Sequence, residues 1–273
     1  MSRIARCFDT LARDGRKGLI TFITAGDPTA SETVEWMHAL VRGGADIVEL
    51  GVPFSDPMAD GETIQRASER ALSHGFSLND VLNTVREFRQ RDQNTPVVLM
   101  GYLNPFEHMG AKRFAALASS AGVDGVLVVD LPPEEAVTFN AEVRAEGLDQ
   151  VFLVAPNSPP ARMRQVCAAA SGFVYFVSVK GVTGTKAAAM DEVSACVAEM
   201  RKAGNLPIGI GFGIRTAASA VQAAHLADAV IVGSAIVELI ENGGGRAAVS
   251  SAIEDFVTSL RRALDDIPAT EPA

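Results

Sequence analysis

Eight short apolar runs separated by segments of helical periodicity constrain the fold of this 273-residue chain more than any other feature. Runs of this kind are typical of strands in a parallel sheet, which are buried on both faces. They cover residues 19–24, 47–50, 97–100, 125–129, 151–154, 173–177, 208–210 and 229–232. Regular alternation of strands with helices indicates an α/β fold with a parallel sheet.

Helical periodicity fills most of the intervals between these runs. The predicted helices cover residues 31–41, 80–91, 111–120, 133–146, 159–170, 191–203, 216–224 and 246–264, and another begins near Thr63. No linker or change of composition divides the chain, so residues 1–264 are predicted to form a single (β/α)8 barrel of the usual size. The alternative, an open doubly wound sheet, lacks support because the first strand-to-helix turn has no G-x-G-x-x-G motif.

Both ends of the chain lie outside the predicted repeat. The N-terminal segment 1–15 is predicted to form an amphipathic helix that caps the barrel with Ile4, Phe8 and Leu11. Residues 265–273, which include Pro268 and Pro272, are predicted to be disordered.

Composition narrows the class of partner and the cellular compartment. The net charge is -9 and the Lys and Arg residues are scattered, which argues against nucleic-acid binding. The three cysteines are far apart and lack metal-ligand spacing, so neither disulfides nor a zinc site is predicted. No apolar run approaches membrane-spanning length, and the N-terminus does not resemble a signal peptide. A cytoplasmic protein without a metal is expected.

One acid interrupts the second apolar run. Glu49 follows Ile47 and Val48, where a charge is costly to remove from water. A loop rich in Gly and Pro then leads to a second acid, Asp60. Two carboxyls in different surroundings can acquire different pKa values and separate proton-transfer roles. The structural alternatives are a buried Glu49 satisfied by backbone amides or an ion pair, and an Asp60 that forms a turn or caps a helix.

In a barrel of this type the active site lies at the C-terminal ends of the strands. The candidate residues there, besides the two acids, are Phe22, Thr24, Met100, Tyr102, Asp130, Tyr175, Ser178, Gly211, Gly213, Gly233 and Ser234. The glycines follow strands 7 and 8, where barrels often bind phosphate through amides at helix N-termini. Taken singly, each glycine is equally consistent with a tight turn.

A long connection, residues 179–189, follows strand 6 and contains Lys180 and Lys186. Its length is typical of a lid that closes over a substrate, and a solvated connection is an equal alternative. The four histidines, His38, His74, His108 and His225, lie in or beside predicted helices and suggest packing roles.

Several segments together resemble the tryptophan synthase alpha chain family. They are residues 19–28 (LITFITAGDP), 49–61 (ELGVPFSDPMADG), 63–65 (TIQ), 100–105 (MGYLNP), 125–132 (GVLVVDLP), 181–184 (GVTG) and 211–214 (GFGI). The resemblance extends over residues 3–264, and the 49–61 block is its most specific part. It implies a lyase that splits indole-3-glycerol phosphate into indole and glyceraldehyde 3-phosphate.

The resemblance also implies residue roles. Glu49 would act as acid and base, Asp60 would accept the indole N–H, and Tyr175 would hold Glu49 in place. Phe22 and Met100 would border the indole, and Thr183 would seat Asp60 when the lid closes. The remaining substrate-binding residues, which include the phosphate site, would be Gly184, Gly211, Gly213, Gly233 and Ser234.

The family's partner is a beta chain that carries pyridoxal phosphate and receives indole through a tunnel, so an alpha2beta2 tetramer is expected. The contact would involve Asp56, Pro57, Asn104 and Pro132, and this chain would need no cofactor of its own. Two features depart from the family pattern. Glu62 replaces a common proline after Ala-Asp-Gly, and Lys180 and Lys186 lie in a variable stretch.

Two other functions remain open from the residues alone. The chain could bind and activate a partner with little lyase activity of its own, although a buried Glu49 would then have no purpose. It could also be another phosphate-binding isomerase or aldolase. A Schiff-base aldolase would need a strand lysine, and Lys180 lies in the predicted lid.

Overall fold

The computed structural model describes residues 1–177, 186–211 and 213–268, with the side chains of 186–189 left out. Eight parallel strands pair in chain order and close on themselves, which confirms the predicted (β/α)8 barrel. The strands are β1 (Gly18–Thr24), β2 (Ile47–Gly51), β3 (Val97–Gly101), β4 (Gly125–Val128), β5 (Asp149–Val154), β6 (Val174–Val177), β7 (Ile208–Gly211) and β8 (Ala229–Val232).

Twelve helices are present in the described ranges, most of them packed around the barrel. They are α1 (Arg3–Arg13), α2 (Ala30–Arg42), α3 (Glu62–Ser73), α4 (Leu78–Arg89), α5 (Leu103–Met109), α6 (Ala111–Ala121), α7 (Val137–Ala145), α8 (Pro160–Ala169), α9 (Lys186–Ala203), α10 (Ala217–Ala224), α11 (Ser234–Asn242) and α12 (Arg246–Asp265). Extra short helices beside the repeats were predicted without bounds, and α5 is one of them. Residues 269–273 of the predicted disordered tail lie outside the described residues.

The predicted start of the helix after strand 4 is wrong. The helix was expected at residue 133 but begins at Val137. The Pro132 carbonyl accepts hydrogen bonds from the amides of Glu135 and Ala136, so these residues form a turn first. Two consecutive prolines explain the delay, because a residue that precedes proline is sterically disfavoured in the helical conformation.

The N-terminal half of the barrel interior is apolar. Inward side chains of the strands form one buried cluster with Ile4, Phe8 and Leu11 of α1, whose Phe8 ring lies 5.9 Å from that of Phe173. The Ser2 and Arg3 side chains bind Asp149 and Asp124 at the strand starts. These contacts confirm that α1 caps the N-terminal end. Polar groups inside the barrel therefore concentrate at its opposite, C-terminal end, which we call the mouth.

A repeated contact fixes the strand register at the N-terminal end. A side-chain oxygen near the start of each even-numbered strand accepts a hydrogen bond from a backbone amide of the preceding odd-numbered strand, at 2.8–2.9 Å. The accepting residue lies directly before β2, β4 and β8, and three residues before β6. The backbone returns a second hydrogen bond in each case. The acceptor and donor residues are Asp46 with Leu19, Asp124 with Val97, Ser171 with Gln150, and Asp228 with Ile208. Register set here determines the height of every side chain at the mouth.

The three aspartates in this repeat are each paired with arginine. Arg261 lies 3.0 Å from Asp46, and Arg89 lies 2.7 Å from Asp124 with both side chains at least 93% buried. Arg201 lies 3.0 Å from Asp228. A buried carboxylate without such a partner would be strongly destabilising. The neutral Ser171 in the fourth copy has no charge to balance.

None of the helices in the described ranges has the length and apolar composition needed to cross a membrane.

Candidate active site

Glu49 lies inside the barrel mouth and is almost inaccessible to solvent. It is 1% exposed, and its register neighbours on the adjoining strands are Phe22 and Val98. Its Oε1 atom has no hydrogen-bond partner in the part of the chain that the structure describes. Burial, with a smaller contribution from the charge of Asp60, raises the pKa of Glu49 to about 8. The carboxyl is therefore protonated at neutral pH.

Asp60 lies in the loop between β2 and α3 and is half-buried. Its backbone is held on both sides, because its amide donates to the Pro57 carbonyl at 3.0 Å and its carbonyl accepts from Gln65 Nε2 at 2.8 Å. The helix-cap alternative is wrong for this residue, since Gly61 occupies the N-cap of α3. Burial raises the pKa of Asp60 to about 6, with Tyr102 opposing the shift. At pH 7, therefore, Glu49 is neutral and Asp60 is ionised.

Tyr175 on β6 lies close to both acids. Burial raises the pKa of its hydroxyl well above the ordinary value, with added contributions from the charges of Glu49 and Asp60. A Cβ atom on Gly211 would come within 2.6 Å of this hydroxyl, so Gly211 leaves room for the phenol. No hydrogen bond joins Tyr175 to Glu49 among the described contacts. The support of Glu49 by Tyr175 stays a prediction.

Phe22 and Met100 form an apolar wall beside the acids. Phe22 packs with Ile64 and Ala67 of α3 and with Val237 of α11, and Met100 borders the same cluster. Two glycines admit the Phe22 ring. A Cβ on Gly51 would lie 2.6 Å from its Cζ atom, and one on Gly233 would lie 3.3 Å from its Cβ. Gly233 thus has a packing role in addition to its position at a helix start.

The glycines after β7 and β8 lie at the mouth as predicted. Gly213 has a φ of +57°, a left-handed conformation that favours glycine. Gly233 is the N-cap of α11, and it has no side chain that could cap that helix. The first amides of an uncapped helix are available to an anion and carry the positive end of the helix dipole. Gly213, Gly233 and Ser234, which are predicted to bind phosphate, are called the phosphate seat below.

Several predicted residues lie outside the described part of the chain. Thr183 and Gly184 fall in residues 178–185, together with Ser178, Lys180 and most of the predicted lid, and the Lys186 side chain is also left out. Glu62, the departure from the family pattern, is the exposed first residue of α3. A negative charge in the first turn of a helix is favourable.

Tyr102 has a role that sequence reasoning did not assign. Its hydroxyl accepts a hydrogen bond from the Ala59 amide at 2.9 Å, and its ring stacks on Phe54 at 5.1 Å. Both contacts hold the loop that carries Asp60. Burial raises the pKa of the Tyr102 hydroxyl to about 12, so the group keeps its proton. The available signal was its position at the end of strand 3, which identified Tyr102 as a candidate without a function.

The residues expected at a partner interface are accessible. Asp56 and Asn104 are exposed and Pro57 and Pro132 are half-buried. Asn104 lies in α5, after β3, and the other three lie on the loops after β2 and β4. Two large apolar side chains, Met58 and Val137, are 86% and 70% exposed near these positions. Neither residue was predicted from the sequence to lie at the interface.

A barrel mouth with two carboxyls of unlike pKa, an apolar wall and an uncapped helix start is typical of (β/α)8 enzymes that apply acid–base catalysis to phosphorylated substrates. A family model described as tryptophan synthase alpha chain matches residues 8–265. This chain belongs to the tryptophan synthase alpha chain family. Members of the family are lyases that cleave indole-3-glycerol phosphate to indole without a metal, and they work with a beta subunit.

Individual relatives agree with this assignment. The chain is 56% identical to the tryptophan synthase alpha chain of Ralstonia nicotianae, over 97% of this chain and 100% of the relative. It is 55% identical to that of Burkholderia pseudomallei over the full length of both. Among solved structures, the alpha subunit from Legionella pneumophila superposes with a TM-score of 0.89 at 42% identity, covering 98% of this chain and 100% of that one. The resemblance inferred from the motifs is confirmed.

The buried Glu49 predicts a specific pH dependence of stability. Because the folded-state pKa of about 8 exceeds the ordinary 4.5, the folded chain holds this proton more tightly, and stability falls as pH rises from 4.5 to 8. Glu49→Gln removes this penalty. We expect the variant to unfold with a free energy at least about 1 kcal/mol higher than wild type at pH 8, with the difference vanishing below pH 4.5. Urea denaturation at several pH values measures this, and a difference independent of pH would contradict it.

Removal of the Tyr102 hydroxyl is expected to lower the rate of indole release and to reduce stability modestly. Tyr102→Phe keeps the ring stacked on Phe54 but deletes the acceptor for the Ala59 amide, which costs about 1 kcal/mol. We expect kcat for indole release to fall about tenfold, because the change displaces Asp60, which is predicted to be catalytic, by a small distance. Steady-state kinetics and thermal melts measure both quantities. Wild-type kcat in a folded Tyr102→Phe chain would show that the hydroxyl does not position this loop.

Proposed function

We propose that Glu49 moves the protons in the retro-aldol cleavage of indole-3-glycerol phosphate and that Asp60 binds the indole N–H. The observation that carries this proposal is the pair of pKa values, about 8 for the fully buried Glu49 and about 6 for Asp60. A neutral acid can donate a proton at pH 7, and an ionised one can stabilise a cation.

Glu49 gives up one proton during the reaction and regains one. Its neutral carboxyl delivers a proton to indole C3, which makes the ring a better leaving group. As the bond from C3 to the glycerol chain breaks, the adjacent hydroxyl becomes an aldehyde and gives its proton to the Glu49 carboxylate. Glu49 is then neutral again. The ionised Asp60 stabilises the positive charge on the protonated ring, in a site where burial strengthens the interaction.

The binding residues divide between the two ends of the substrate. Phe22 and Met100 provide an apolar surface for the indole, next to both acids. The phosphate seat, with Gly211 beside it and Gly184 from residues outside the described ranges, binds the phosphate. Backbone amides at the start of α11 supply the donors. Thr183 completes the set by seating Asp60.

The partner is a tryptophan synthase beta chain in an alpha2beta2 tetramer, with indole passed between the chains and pyridoxal phosphate in the beta chain only. The segments that carry Asp56, Pro57, Asn104 and Pro132, after β2, β3 and β4, provide the contact. Exposed Met58 and Val137 supply apolar area near it. We place this assembly in the cytoplasm. Residues 1–264 act as one domain.

The direct test is indole release from indole-3-glycerol phosphate by the purified chain, alone and with a beta chain. We expect a slow rate that rises in the presence of the partner, and a loss of at least about 100-fold in Glu49→Gln, as typical for removal of a general acid–base group. Circular dichroism of the variant serves to check that it remains folded. A folded Glu49→Gln chain with wild-type activity would overturn the assignment.

The pH–rate profile tests the separate states of the two acids. Activity requires neutral Glu49, so it is lost as pH rises through about 8, and it requires ionised Asp60, so it is lost as pH falls through about 6. The expected kcat/KM profile is a bell between these values. In Asp60→Asn the residual activity should lack the acidic limb. Persistence of that limb would assign it to another group.

A further inference from the structure

The helix α11, which begins at the phosphate seat, is attached to its neighbours by two glutamates. Glu238 and Glu241 lie one turn apart on this helix. Glu238 contacts α3 and the segment after β7, and Glu241 contacts two arginines of α3. Neither residue belongs to the machinery described so far.

Glu241 attaches α11 to α3 and, through Arg70, to the loop after β1. Arg66 donates two hydrogen bonds of 2.7 Å to the two oxygens of Glu241, and Arg70 donates a third of 2.8 Å. The remaining nitrogens of Arg70 bind both oxygens of Asp27 at 2.7 and 2.8 Å. The Asp27 side chain is 1% exposed. The paired arginines lower the pKa of Glu241 to about 2, so it stays charged.

Glu238 attaches α11 to the second element of the phosphate seat. Arg215, two residues after Gly213, donates to one oxygen of Glu238. The other oxygen accepts a long, 3.4 Å hydrogen bond from Thr63 in the first turn of α3. Glu238 therefore joins the two strand ends, after β7 and β8, that together form the phosphate seat.

The other end of this path is the acid Asp60. Helix α3 begins two residues after Asp60, and Gln65 of α3 donates to the Asp60 carbonyl. Between the helices, Ala67 of α3 and Val237 of α11 pack on Phe22, which borders the indole pocket. A continuous set of contacts thus connects the phosphate seat with the acid that binds indole.

Stability alone does not account for these pairs. Arg66 and Arg215 are 46% and 47% exposed, and exposed ion pairs add little to global stability. Charged hydrogen bonds, bidentate in the Arg66–Glu241 pair and single in the Arg215–Glu238 pair, instead restrict the geometry of the elements that they join. We propose that Glu238 is a positioning residue of the phosphate seat and that, with Glu241, it couples occupancy of the seat to the placement of Asp60. This inference rests on the proposed function, in which one substrate spans both places.

The experiment uses two probes, each equivalent to one part of the substrate. Glycerol 3-phosphate occupies the seat and indole occupies the pocket beside Asp60, and calorimetry measures the Kd of each with and without the other. In wild type we expect bound glycerol 3-phosphate to tighten indole about fivefold, the low end of typical coupling between sites. In Glu238→Gln and Glu238→Ala the Kd of glycerol 3-phosphate should rise about fivefold or more, and in Glu241→Gln the coupling should fall to near one.

The matched control is Glu254→Gln, which breaks a pair of similar exposure between α12 and Arg42 of α2, at 2.8 Å. It should bind both probes as wild type does, and melting curves should be alike for all variants. Wild-type Kd and coupling in the folded Glu238 and Glu241 variants, or equal losses in Glu254→Gln, would overturn the inference. Absence of indole release by wild type would instead overturn the proposed function, because probe binding is read without turnover.

Discussion

The removal of one carboxyl from water is the constraint on which the rest of the site depends. Closure of eight strands over an apolar lower interior leaves Glu49 without solvent, and its Oε1 without a partner among the described residues. The neutral form is therefore favoured, and the pKa rises to about 8. A fully paired Glu49 would lose this property. The buried carboxyl without a hydrogen-bond partner at Oε1 lowers the stability of the strand. The same surroundings keep Glu49 protonated, so that it can act as an acid at neutral pH.

This arrangement requires accurate strand heights. A shift of one residue in β2 would turn Glu49 toward the helices and bring an apolar side chain to the mouth. The repeated contact before the even-numbered strands opposes such a shift. Asp46 binds the Leu19 amide at the base of the β1–β2 pair, and Phe22 and Glu49 are consequently register neighbours at its top. Stability at one end of the barrel thus supports chemistry at the other.

The mouth is assembled from short-range and long-range contacts of different kinds. Asp60 depends on its own loop and on Tyr102 from the next strand end. The phosphate seat depends on the start of α11 and on Glu238 and Arg215, which connect it to the loop after β7. The pocket between these groups is lined by Phe22, whose ring has room because Gly51 lacks a side chain and which packs closely against Gly233. Each group is a common structural feature by itself, and the active site is formed by their combination.

By itself, the sequence determined the order of strands and helices, the closed barrel, the two acids and the glycines at the last strand ends. These are local properties: hydrophobic periodicity reports burial, and an acid inside an apolar run is visible without coordinates. Where a local signal was misread, as at Pro132 and Pro133, the helix start moved by four residues. The motifs also sufficed to identify the family.

Only the tertiary structure decided which distant residues meet. The Tyr102 contact with Ala59, the repeat of Asp46, Asp124, Ser171 and Asp228, and the pairs of Glu238 and Glu241 involve partners about 20 to 175 residues apart. Nothing in the local pattern marks such partners. An exposed arginine or glutamate that forms an ion pair cannot be distinguished in the sequence from one that does not. The raised pKa of Glu49 likewise depends on desolvation by elements from the whole chain, which closure of the barrel alone brings together.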